Sequence, residues 1–179
     1  MVAIVAGAQT AVTPLPDGGW RVEKTGGIEG QYAAAAASAA AITGDDVLRV
    51  TDLTAPNSAI FGVSTDPSAS DGYADIDFAA QFYGADFYVF ENGVYVPPTR
   101  AQGGVAWIVR SGGVLRYRIG PTLAGSSVAR TVSGVSDPLW FDCTIGRLGG
   151  AIGVRFEPPG AWSHGPVRPA ARLNIGIGG

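Results

Sequence analysis

The chain has 179 residues, 46% of them hydrophobic and 15% charged, with a formal net charge of -3. It is long and apolar enough for one well-filled core, which excludes a disordered segment and any need for disulfides or a structural metal. A single cysteine, Cys143, and a single histidine, His164, exclude an intramolecular disulfide and a cysteine-based zinc site and leave few general bases, so composition points to binding or assembly rather than catalysis.

Twenty-seven glycines and twelve prolines, spread along the chain with no period of three, predict many short strands joined by turns, as in a sandwich or barrel. A first strand is expected over residues 3–12, closed by the turn cluster Pro14, Pro16, Asp17, Gly18 and Gly19, and a second over 20–24. The alanine run 33–41 has helix propensity but no wide stripe of large apolar side chains, and we read it as a strand packed under something bulky. A further strand is expected over 47–50. From Tyr73 to Tyr83, residues Ala74, Ile76, Phe78, Ala80 and Phe82 alternate with Asp75, Asp77, Ala79 and Gln81, which predicts one strand with the first set in the core. Residues 87–90 are apolar on both faces, Glu91-Asn92-Gly93 makes a hairpin turn, and Pro97-Pro98 is expected to stop the returning strand. Strands over 105–110 and 114–119 flank Gly112-Gly113, with Leu115, Tyr117 and Ile119 on one face and Arg116 and Arg118 on the other. Later strands are expected over 127–132, 139–144 and 151–156, and after Pro158 only 173–177 is a short apolar run in a Pro/Gly-broken arm.

Charge is unevenly placed: residues 1–99 carry three basic and twelve acidic side chains, residues 100–179 nine and three. In a sandwich with interleaved early and late strands, the plain expectation is that Arg110, Arg116 and Arg118 pair with acidic strands. Nucleic acid is not an expected partner, because Lys24 is the only lysine and the arginines are widely spaced. No apolar run approaches the roughly 20 residues that span a bilayer. The apolar residues 2–6 have no basic residue before them, so neither membrane insertion nor a signal peptide is expected.

The succession Phe61-Gly62-Val63-Ser64-Thr65-Asp66-Pro67, Asp75-Ile76-Asp77-Phe78-Ala79, Tyr88-Val89-Phe90-Glu91-Asn92-Gly93 and Gly113-Val114-Leu115-Arg116-Tyr117-Arg118 resembles the SPRY-like, concanavalin-type domain of phage fibre, spike and bacterial surface proteins. The resemblance covers roughly residues 20–156. Arg118-Ile119-Gly120-Pro121 departs from the Lys-Asn-Gly common in the family, and the arm from Pro158 has no counterpart. What it implies is an all-β, two-sheet antiparallel sandwich of jelly-roll type over residues 1–157, followed by an irregular arm over 158–179. The resemblance also implies a virion component, assembled in a host cytoplasm as a homo-oligomer such as a trimer, in contact with other virion proteins. The family also includes peptide-binding modules, and fold alone does not choose between them.

The residues decide further. Asp75 and Asp77 look like part of a glucanase active strand, whose retaining chemistry needs two carboxyls about 5 to 5.5 Å apart. Ala79 and Ala80 stand where the resemblance would place the third acid, so no catalysis is expected. Asp45-Asp46 and Asp66 to Asp71 lack the Asp-x-Asp-x-Asp-Gly spacing of a calcium loop and read as turn caps. No Gly-x-Ser-x-Gly elbow or phosphate-binding loop is present, and no cofactor or metal is expected. Aromatic rings beside acceptors and donors suit a sugar, since a ring stacks on its C–H face while polar groups take its hydroxyls. The expected ligand is therefore a host cell-surface polysaccharide, bound by Tyr83 with Asp75, Asp77, Trp107, Arg116 and Arg118. The competing reading puts Trp107 in the core and the tyrosines in a protein interface.

Overall fold

A computed structural model of the chain describes residues 2–54, 58–66, 73–101 and 103–157, without the side chain of Tyr73. The expected arm, the run 173–177, Trp162, His164 and Asp71 lie outside the described residues. Among the described residues, apart from one 3-10 turn at Tyr73–Asp75, the regular structure is all β. With strands numbered in chain order, one sheet runs β1 (Ile4–Ala6), β4 (Ala34–Ser38), β13 (Trp140–Ile145), β6 (Ser58–Ser64), β7 (Phe78–Tyr83), β8 (Asp86–Glu91), β9 (Val94–Ala101). The other runs β12 (Ser127–Ser133), β11 (Val114–Ile119), β10 (Val105–Ser111), β5 (Asp46–Asp52), β14 (Ala151–Glu157), β3 (Trp20–Lys24), β2 (Thr10–Pro14). We call them sheets A and B. Every pairing is antiparallel.

The core lies between the sheets and is built by alternation. Phe61, Phe82 and Phe87 come from three neighbouring strands of sheet A, with ring centroids 4.8 to 6.5 Å apart, and meet Val50, Ile108, Leu115, Tyr117, Ile152 and Val154 from sheet B. The alanine run is a strand, as read, and all five residues of β4 are buried. Its small side chains let it sit between β1 and β13 with both faces covered. At the opposite edge Arg130 of β12 bonds Glu91 of β8 through two donors, at 2.7 and 3.1 Å.

Three local expectations differ. The strand expected over 3–12 is two strands, because Gln9 turns with φ of 62° and passes the chain from sheet A to sheet B. The strand expected from Tyr73 begins only at Phe78: Ile76 is buried, but with Ile60 and Ala79 on the outer face of sheet A rather than with Phe82 in the core. Pro97 and Pro98 do not end the ladder. They lie inside β9, the outermost strand of sheet A, at a shift in register between the Phe87–Arg100 and Val89–Val96 pairs, where neither proline has a ladder partner. The Asn92-Gly93 hairpin is as expected, both residues having positive φ, 50° and 73°.

Candidate binding surfaces

The outer face of sheet A is largely roofed. Residues 25–33 and 73–77 cross it, setting Tyr32 and Ile76 against Ile60, Ala79 and Gln81, and Asp142 and Thr144 are buried on the same face. Tyr32 anchors the first segment: its hydroxyl meets the Ser58 hydroxyl and accepts a bond from Gln81 Nε2 at 2.7 Å. Lys24 turns inward and donates its ammonium protons to the carbonyls of Ile28, Gln31 and Gly146 at 2.7, 2.5 and 3.0 Å. Desolvation pulls its pKa below the usual lysine range, and Glu29 opposes this. Asp77 holds the second segment, its carboxylate accepting from the Thr65 backbone N–H and hydroxyl at 2.8 and 2.7 Å. Asp75 is exposed, and its carbonyl accepts from Ser64 Oγ at 3.4 Å. Neither aspartate lies on a strand.

The β7–β8–β9 end of this face is open, and it carries aromatic rings. Tyr83 is 55% exposed. Its ring stands edge-on to Tyr88 at 6.4 Å, Tyr88 edge-on to Tyr95 at 5.7 Å, and Tyr95 lies 6.0 Å from Phe90. Desolvation in this cluster, with Asp86 beside it, raises the Tyr88 pKa above its ordinary value.

The outer face of sheet B holds Trp107, Arg116 and Arg118, on the opposite side of the sandwich from Tyr83. Trp107 is only 7% exposed and packs with Val47, Val109 and Leu123, while its indole N–H donates to the Gly120 carbonyl at 2.8 Å. It is a packed residue rather than an open platform. Cross-strand register places a row of side chains on this face: Arg118 of β11, Trp107 of β10, Arg49 of β5 and Arg155 of β14. Arg118 donates to the Ser126 hydroxyl and carbonyl, both at 2.7 Å. Arg49 lies over the Trp107 ring, 5.7 Å from its centroid. Two arginines directly opposite on adjacent strands repel. Arg155 is offset by Glu157 at 3.4 Å and Asp17 at 3.8 Å. Arg49 has no acidic partner among the described residues, and its Nε is buried without an acceptor.

Beside this pair lies a groove of about 130 Å³. Gly153 and Thr51 form its floor, Leu15 and Leu53 its apolar wall, and the turn carrying Asp17 and Gly19 closes one end. The turn fits tightly on β14: Asp17 accepts from the Gly19 N–H at 3.1 Å, and a Cβ on Gly19 would meet the Val154 carbonyl at 2.8 Å. Arg49, Arg155 and Gly153 went unread in the sequence; only their shared outward parity on β5 and β14 could have marked them.

Early acids meet late arginines where Arg130 pairs with Glu91 and Arg155 with Asp17. Arg110 instead turns to the rim, where it pairs with Asp137 and donates to the Gly44 carbonyl at 2.8 Å. Arg116 has no ion pair among the described residues. Asp46 caps locally, accepting from the Val47 N–H while burial raises its pKa, whereas Asp45 reaches across to the β10–β11 turn and accepts from the Gly112 N–H and Ser111 hydroxyl, which lowers its pKa. No helix among the described residues is long and apolar enough to cross a membrane.

No protein-family model matches the sequence, and no curated protein resembles it. Solved structures resemble its fold. The PSpry domain of TRIM65 superimposes with a TM-score of 0.59 at 12% identity, over 87% of this chain and 92% of that one. The stonustoxin structure gives 0.57 at 9% identity over 87% of this chain, which spans only 28% of the stonustoxin chain. A functionally unknown protein from Saccharomyces cerevisiae gives 0.50 at 12% identity, over 88% and 96%. The fold is a SPRY-like antiparallel β-sandwich.

Proposed function

We propose that this chain is a non-catalytic recognition module that grips an extended segment of a partner polypeptide on the outer face of sheet B. The observation that carries the reading is the groove over Gly153, the place on this face where side chains stand back from the sheet while a turn and two leucines wall the space. The SPRY-like fold supports it, and so does the engagement of Asp77 by Thr65, which leaves Asp75 without a free facing carboxylate. The test is selection of short peptides from a random display library on the full chain, followed by binding to two variants. Selected peptides lose binding to Gly153→Leu, which fills the groove, and keep it with Tyr83→Ala. Peptides that bind both variants equally, or a library that yields none, overturn the reading.

A second reading follows from the tyrosine row. Exposed Tyr83, with Tyr88, Tyr95 and Asp86, offers rings beside acceptors, the chemistry of a sugar site. In this reading the chain is a subunit of a phage fibre or spike that touches a host surface polysaccharide, and because one shallow site binds at about millimolar strength, an oligomer supplies avidity. A glycan array probed with the protein and with Tyr83→Ala tests it: a signal lost in the variant supports the reading, and silence on the array removes it.

A further inference from the structure

We infer that the groove on sheet B is a carboxylate pocket, and that the segment it takes presents a glutamate or aspartate side chain to Arg49. The inference rests on the peptide-binding reading above and adds the chemical identity of the anchor. Charge accounting points to it. Arg155 is already held by Glu157 and Asp17, whereas the guanidinium directly across from it has an aromatic ring on one side, an arginine on the other and no acid among the described residues. Arg49 itself lines the groove, so this charge faces the space a ligand would fill. An arginine presents parallel N–H donors to a carboxylate, so one such group would balance the charge left uncompensated in the Arg49–Arg155 pair. A doubly charged phosphate would bring one negative charge too many.

The walls choose the rest of the ligand. Leu15 and Leu53 face the bare Cα of Gly153 closely enough that a Cβ placed there would touch their methyls at 3.5 Å. The methylenes of an acidic side chain lie against these leucines while its carboxylate reaches Arg49, and Thr51 offers a hydroxyl on the same floor. Trp107 holds the guanidinium on one side, and Arg49 lines the groove with Arg155. Like-charge opposition between Arg49 and Arg155, unfavourable in the empty chain, is relieved when the anion arrives.

The experiment is an NMR titration of the full chain with capped glutamate (N-acetyl, N-methylamide), its glutamine analogue and inorganic phosphate. Capped glutamate is expected to shift the Thr51 and Gly153 amides saturably, and glutamine to bind about tenfold more weakly or not at all, as loss of a charge-assisted bond requires. Arg49→Gln abolishes the glutamate response, and Gly153→Ala, which only adds a methyl in ordinary contact, weakens it, so the result stands even if one variant folds poorly. Equal binding of glutamate and glutamine, tighter binding of phosphate, or an unchanged response in Arg49→Gln overturns the carboxylate assignment. If the selected peptides prove neutral yet still need the open groove, the carboxylate inference fails while the recognition module survives.

Discussion

The two outer faces of the sandwich are built by the same alternation and end in different states. On sheet A, Ile60, Ala79, Gln81, Asp142 and Thr144 point away from the core and are nonetheless buried, on the face that residues 25–33 and 73–77 cross. On sheet B, Leu123 and the Leu15–Gly19 turn cover the two flanks and leave β5 and β14 open between them, lined by arginines. What separates a second small core from a binding surface is thus not strand pattern but the length and path of the connections that cross it. Each prediction below probes that contrast.

The largest effect is expected where the roof is tightest. Gly62 in β6 and Gly153 in β14 both sit mid-strand with outward-facing Cα hydrogens, yet a Cβ on Gly62 would lie 2.0 Å from the Phe78 carbonyl and 2.8 Å from Ala79 Cα, backbone of the neighbouring strand, and 2.9 Å from Ile76 Cγ2 in the roof. Gly62→Ala must push β7 away and should cost about 3 kcal/mol or more, or prevent folding. Gly153→Ala meets only leucine methyls at 3.5 to 3.6 Å and should be neutral or gain roughly 0.5 to 1 kcal/mol through the unfolded chain. Urea unfolding of the two variants decides, and equal midpoints would erase the distinction between roofed and open faces.

The roof also buries a carboxyl. Asp142 is pushed up to about 7, mainly by desolvation, with Asp75 adding to the rise and the Cys143 N–H and Ser64 hydroxyl opposing it. The folded chain therefore holds a proton that the unfolded chain releases near pH 4. Over that interval the folded state binds more protons, so this group's contribution favours folding below about pH 4 and is lost progressively as pH rises to about 7, then stays constant. Asp142→Asn is neutral throughout and should exceed the parent in stability by a few kcal/mol at pH 8 while matching it near pH 3.5. Denaturant midpoints across that range check it, and parallel curves for the two proteins would mean water reaches Asp142 through the roof.

Alternation made much of this legible in advance. The order of turns, the buried Leu115, Tyr117 and Ile119, the outward Arg116 and Arg118, and the alanine strand were all readable, since each depends on local period and punctuation. Coverage was not. Trp107 reads equally well as platform or core until Leu123 is placed over it, and Asp75 and Asp77 alternate with Phe78 in sequence although Thr65 draws Asp77 off the strand. Arg49 is separated from Gly153 and Arg155 by about a hundred residues, and only the β5–β14 pairing, a product of the whole topology, brings them side by side. Tyr83 and Trp107, read as one candidate site, fall on opposite faces for the same reason.

The smallest effect is expected on the open face and carries the most functional weight. Arg49→Met keeps an unbranched stem over Trp107, removes the Nε that is buried without an acceptor and ends the opposition to Arg155. An unsatisfied buried donor costs about 1 to 3 kcal/mol, and the cation–π contact that would be lost contributes about 0.5 to 2 kcal/mol, so the two nearly cancel. The variant should unfold within about 1 kcal/mol of the parent, on the stable side, while losing its response to capped glutamate. A residue kept for packing behaves in the reverse way, since removing it destabilises the chain. If thermal unfolding shows Arg49→Met to be clearly less stable, the guanidinium is a clamp on Trp107, and the face around it belongs with the roofed side of the comparison rather than with a ligand.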